Sequence, residues 1–290
     1  MKITRFSILF ALLLALAPVA FGDDVVLYNN LPNPLPPNLP SQAYEAQATS
    51  EFGGLIQLAD GGSTYAQLEA TVVLSDQSYL ANWSSEINGT TITADGFTLP
   101  LTLTLYGVGA NDSVGGVIAT ENLPNAFIPW RPDPTAGCGN GYLASDGLCH
   151  SGSLVPIDFS FTDITLPNQI IFGLAFNTTD YGAGATGVQG PYDSLNFALA
   201  ETPPSVGSNP LPDTAYVNST NPDDYGTDTG NIGSFGQGTG WSPYSPAVEF
   251  STTPEPSPLL LLGTGLLVLA GICQRRSKVL VRSRLQKSLR

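Results

Sequence analysis

Leu99-Pro-Leu-Thr-Leu-Thr-Leu-Tyr106 alternates apolar and polar residues with a period of two, which puts Leu99, Leu101, Leu103 and Leu105 on one face of an extended chain. A half-buried strand is expected there, with Pro100 tolerated on an edge or in a first turn. Working outward, β-rich or alternating segments recur at 25–28, 67–75, 90–93, 98–106, 116–120, 154–164, 169–176, 195–200 and 247–251. Gly, Pro, Asn and Asp clusters interrupt them, and no stretch of helical length shows a convincing 3.6-residue period. The pattern predicts one all-β domain over 23–251, a single antiparallel β-sandwich or jelly roll, with no internal repeat. Residues 30–40 carry five prolines and are expected to form an extended lead-in or a strap.

Charge divides the chain more sharply than hydropathy does. Of the 10 Lys and Arg residues, Lys2 and Arg5 precede an N-terminal apolar run, seven follow a C-terminal one, and only Arg131 lies between. With 23 acids from Asp23 to Thr253, the body carries −22 against −14 for the whole chain. Such a polyanion lacks the Lys and Arg side chains that grip phosphate backbones, which excludes nucleic acid as a partner of the body. At 42% hydrophobic residues, the chain can still bury a core.

The two ends read as addresses. Residues 1–22 combine the positive Lys2 and Arg5, an apolar stretch at 6–16 and a small-residue exit at Ala20 and Gly22, the pattern of a secretory signal peptide. The stretch is short of the roughly 20 residues that span a bilayer. At the other end, 252–290 holds Pro254-Glu-Pro256, an apolar run at 258–273 and a basic end at 274–290 containing Arg275 and Arg276. Basic residues after a short span place that end on the cytoplasmic side, so the body is expected outside the inner membrane.

This ordered triplet, span and Arg pair resembles the PEP-CTERM sorting tail of Gram-negative bacteria. The resemblance implies an exosortase and the secretion machinery as partners, membrane anchoring through the C-terminal helix before processing, and then a cell-surface or extracellular location. The sorting residues are Pro254, Glu255, Pro256, Arg275 and Arg276. Within the body, Ser50-Glu-Phe-Gly-Gly54, Asn82-Trp-Ser84, Pro191-Tyr-Asp-Ser-Leu-Asn196 and Gly240-Trp-Ser-Pro-Tyr244 followed by Ala247-Val-Glu-Phe250 are similar to a family of secreted bacterial β-sandwich proteins of uncharacterised function. That resemblance implies a fold and no activity.

Candidate chemistry is sparse. Cys138 and Cys149, separated by ten residues in an exported body, are expected to form a disulfide. Zinc is the rival, but it needs further ligands, and His150 is the only histidine. A Cys149/His150 catalytic pair is disfavoured because sequence neighbours rarely form one. Asp223, Asp224 and Asp228 share a glycine-bearing loop whose oxygens suit a structural calcium, although the EF-hand spacing is missing. Trp83, Trp130, Trp241, Tyr181, Tyr192 and Tyr244 are candidates for sugar stacking, with core packing as the competing role. No Gly-x-Ser-x-Gly elbow is present. The resulting expectation is a non-catalytic envelope or extracellular-matrix protein without a required cofactor. The alternatives are a carbohydrate-binding module for exopolysaccharide and a secreted glycoside hydrolase using a carboxylate pair.

Overall fold

In the computed structural model, residues 24–83, 90–220 and 233–252 are described, and the leucine run lies inside a 13-residue strand. The strands are β1 (Val25–Asn29), β2 (Ser41–Ala43), β3 (Thr49–Gln57), β4 (Thr64–Asp76), β5 (Thr91–Ile92), β6 (Gly96–Val108), β7 (Val114–Pro129) and β8 (Tyr142–Leu143). There follow β9 (Cys149–His150), β10 (Ser153–Thr165), β11 (Gln169–Ala175), β12 (Leu195–Ala200), β13 (Thr214–Ser219), β14 (Gly236–Thr239), β15 (Ser245–Pro246) and β16 (Val248–Thr252). All described pairings between these strands are antiparallel. The first sheet runs β1-β16-β4-β12-β15, with β10 beside β4 and β2 beside β12. The second runs β14-β13-β3-β11-β6-β5, with β7 beside β6.

The two sheets share one core, which makes the architecture sandwich-like. Leu99, Leu101, Leu103 and Leu105 are all buried, as the alternation predicts. They join Phe52, Phe172 and Leu174 of the second sheet and Leu68, Val72, Phe159, Phe197 and Phe250 of the first in a single apolar cluster. Pro100 departs from its expected setting. β6 is flanked by β11 and β7, so it is no edge strand, and Pro100 sits where the register with β7 shifts between Leu99 and Leu101. A bulge frees the chain from the N–H that proline lacks.

β3 did not stand out in the sequence, because Gly53 and Gly54 weaken the local β signal. Packing explains Gly53: a Cβ there would lie 1.7 Å from the Phe172 carbonyl oxygen on β11. β13 and β14 were likewise missed. The proline-rich 30–40 segment does form a strap. Leu31 and Leu39 pack on Val73, Ala198, Ala200 and Ala247, on the face of the first sheet turned away from the core. Because proline offers only a carbonyl, the strap accepts: Leu154 N donates to Pro37 O at 3.2 Å and Leu199 N to Pro40 O at 2.7 Å.

The body is one compact unit, Val25–Thr252. Its first and last strands pair, with Val25 opposite Thr252, so chain entry and exit lie side by side. Among the described residues no helix is long and apolar enough to cross a membrane. The signal segment 1–22 and the apolar run 258–273 lie outside the described residues.

Candidate functional site

The lone basic residue of the body organises its most unusual polar site. Arg131 lies two residues past the end of β7 and is only 4% exposed. Its Nε donates to Gln77 O at 2.8 Å, Nη1 to Pro132 O at 2.8 Å and Nη2 to Asn140 O at 2.7 Å. The guanidinium carbon lies 4.4 Å from the Tyr79 ring centre, a cation–π stack. Arg131 thereby joins the chain just after β4 to the 132–152 excursion between β7 and β10.

Asp76, the last residue of β4, is fully buried close by. Its Oδ1 accepts Ser78 N at 3.0 Å and Ser78 Oγ at 2.6 Å, while Oδ2 has no hydrogen-bond partner. Desolvation pushes this carboxyl up to about 7, against the opposing pull of the Ser78 hydrogen bonds, of the Arg131 backbone N–H and, least, of the Arg131 charge. No ion pair links Asp76 to Arg131. Among the described residues the one ion pair is His150 Nε2 with Asp146 Oδ2, at 2.8 Å.

That pair stands in the excursion, beside the cysteines. Cys138 and Cys149 are at disulfide distance, with Cα atoms 5.4 Å apart, and the β8–β9 ladder sets Leu143 opposite Cys149 and Tyr142 opposite His150. His150 is engaged by Asp146, whose carboxyl is held below its ordinary range by the Leu148 backbone N–H and by the His150 ring. Among the described residues no group of three or more His, Cys, Asp or Glu side chains is gathered to hold a metal.

A half-buried carboxylate lies on the outer face of the second sheet. Glu51 Oε1 accepts from the Tyr106 hydroxyl at 2.8 Å, and desolvation raises its carboxyl against that bond. A Cβ on Gly173 would lie 2.2 Å from Glu51 Oε1, so this glycine makes the room for the carboxylate. Phe235 covers the spot, with ring centres 5.4 Å from Tyr106 and 6.0 Å from Tyr216.

The aromatic candidates disperse. Trp241 and Tyr192 are core residues, the former 5.1 Å from the Phe52 ring. Trp130 packs on Phe97 at 5.1 Å, Tyr244 packs against the core, and Trp83 and Tyr181 are half-buried. Phe127 is the one exposed aromatic among the described residues. Asp223, Asp224 and Asp228 lie outside the described residues, as do Pro254, Glu255, Pro256, Arg275 and Arg276.

Sequence reading singled out neither Asp76 nor Glu51 from among the acids. The signal that could have found the first was Arg131 itself, since a lone cation in a body of −22 is a natural organising charge. Comparison with family models, with curated proteins and with solved structures gives no match to this chain.

Proposed function

We propose that this protein is an exported, non-catalytic β-sandwich of jelly-roll-like connectivity, delivered to the cell surface or extracellular matrix by a PEP-CTERM-like tail. The observation that carries the reading is the cysteine pair at disulfide distance. Cys149 is solvent-exposed, so a bond between the two would persist in an oxidising compartment and be reduced in the cytosol. The pairing of β1 with β16 supports the same reading: a tail following Thr252 would leave from the pole where the mature chain begins.

The non-catalytic part rests on how polar groups are used. Asp193 accepts from Thr179 N at 2.8 Å, Thr179 Oγ1 at 2.7 Å and Gly190 N at 3.0 Å, which pins a glycine-rich loop. Asn30 Nδ2 donates to Ser245 Oγ and Pro246 O, while its Oδ1 accepts Val248 N. These side chains satisfy their own fold.

Peptide mass spectrometry of envelope and medium fractions tests the assignment. The mature chain is expected to start near Asp23, and replacing Arg275 and Arg276 is expected to impair retention or processing of the tail. Secreted material with an intact Met1 and an unprocessed Arg290 would overturn it.

A further inference from the structure

We propose that Asp76 and Arg131 form a proton-operated latch, which holds the 132–152 excursion against the end of the sandwich while Asp76 is neutral and releases it when Asp76 ionises. The guanidinium serves one set of partners in the structure, and an ionised Asp76 would offer it a second. In the structure it serves three backbone carbonyls, and two of them, Pro132 O and Asn140 O, belong to the excursion. The carboxyl meanwhile keeps one buried oxygen outside hydrogen-bond geometry and makes no ion pair, and the Arg131 backbone N–H gives its charge only partial relief. A neutral acid tolerates that arrangement. A buried carboxylate does not, because its desolvation cost is relieved only by hydrogen bonds or an opposite charge. Once the proton has left to solvent, the guanidinium is the one cation at hand. Its fork is planar and rigid, so turning it toward Oδ2 takes its nitrogens away from Pro132 and Asn140.

The surroundings of Asp76 are otherwise without charge. Its cross-strand neighbours are Ser153 on β10 and Leu195 on β12, Ser78 bonds Oδ1, and Tyr79 faces the guanidinium. Arg131 is the only charge that acts on the carboxyl, which is poised near neutrality. In the excursion itself His150 pairs with Asp146, so it needs its own control.

Hydrogen exchange on the full-length, disulfide-intact protein tests the latch, with rates corrected for the intrinsic pH dependence. Between about pH 5.5 and 8.5, exchange in 132–152 is expected to rise at least about tenfold relative to β11. Asp76→Asn should remain closed with a flat profile, and His150→Gln should keep the full rise. Arg131→Lys, which cannot bridge three carbonyls with one plane, should exchange quickly in 132–152 at every pH while β11 stays protected. A flat wild-type profile, a rise that survives in Asp76→Asn, a rise lost in His150→Gln, or slow exchange in Arg131→Lys would each overturn the proposal.

Discussion

A buried carboxyl with an unpaired oxygen makes folding a proton-uptake reaction, and Asp76 gives that statement a sign. Its carboxyl stands at about 7 in the folded chain against an ordinary 3.8. The folded state therefore binds the extra proton between these values. The associated stability is complete below the ordinary value and is lost as pH rises through about 7. Urea unfolding is expected to show roughly 2–3 kcal/mol more stability at about pH 5 than at pH 8 from this group. Relief of general repulsion in acid acts on every variant, so the measured quantity is the difference from Asp76→Asn, in which this contribution should vanish. Gly53 sets a steric test at the same scale. With a Cβ 1.7 Å from the Phe172 carbonyl oxygen, Gly53→Ala forces β3 and β11 apart and should cost about 3 kcal/mol or more. Gly116 has nothing within 4 Å of such an atom, so Gly116→Ala should stay within about 0.5 kcal/mol in the same urea unfolding.

Among the elements, β7 and β10 are the long strands paired on one side only, β7 with β6 and β10 with β4. The two strands lie beside each other where the sheets meet, and both carry devices that discourage pairing along these edges. β7 holds Pro124 and places Glu121 opposite Leu103, in the core-facing register. β10 holds Pro156, and its Asp163 has φ 51°, a left-handed kink that interrupts pairing with β4 between Thr162 and Ile164. Glu121→Val combined with Pro124→Thr should turn β7 into an adhesive edge. Light scattering coupled to size exclusion is expected to show concentration-dependent association, absent in the parent; a strictly monodisperse double variant with the parent's mass would remove the edge-guard role. The cysteine pair acts on a smaller element. Closing a loop of 11 residues is worth up to about 3 kcal/mol in the chain-entropy model. Because that loop lies outside both sheets, Cys138→Ser with Cys149→Ser should open 132–152 to proteases while the far-ultraviolet spectrum of the sandwich is retained. Non-reducing peptide mapping of the exported form should recover the two cysteines in one linked peptide, and finding both free to alkylate would refute the bond.

For the whole molecule, the governing quantity is the one-sided charge. Among the described residues Arg131 is the only Lys or Arg and is buried, so apart from His150 the charged side chains at the surface are carboxylates. Their mutual repulsion opposes compaction and is screened over about 8 to 10 Å at physiological salt. Melting temperature should therefore climb with NaCl. A further climb with CaCl₂ at fixed ionic strength, matched by neither NaCl nor MgCl₂, would mark specific binding. Asp223→Asn with Asp228→Asn then decides whether the loop of Asp223, Asp224 and Asp228 is the site: an unchanged calcium response would return that loop to plain surface acidity.

What the sequence by itself determined is what nearest neighbours encode. The leucine alternation at 99–105 reads as a strand because side chains alternate across any extended backbone, and the proline count at 30–40 reads as a strap because proline cannot donate to a ladder. The closeness of Cys138 and Cys149 was legible for the same reason, since only ten residues separate them. The strand at Gly53 and the Asp76–Arg131 site were decided by tertiary structure alone. Gly53 is needed for the approach of β11, more than a hundred residues later in the chain, and local propensity reports nothing of that approach. Asp76 and Arg131 lie 55 positions apart and meet because β6 and β7 cross to the second sheet and return the chain to the end of β4. Burial, which turned Asp76 into a proton-binding group, is a property of the assembled core and has no local signature in the residues that suffer it.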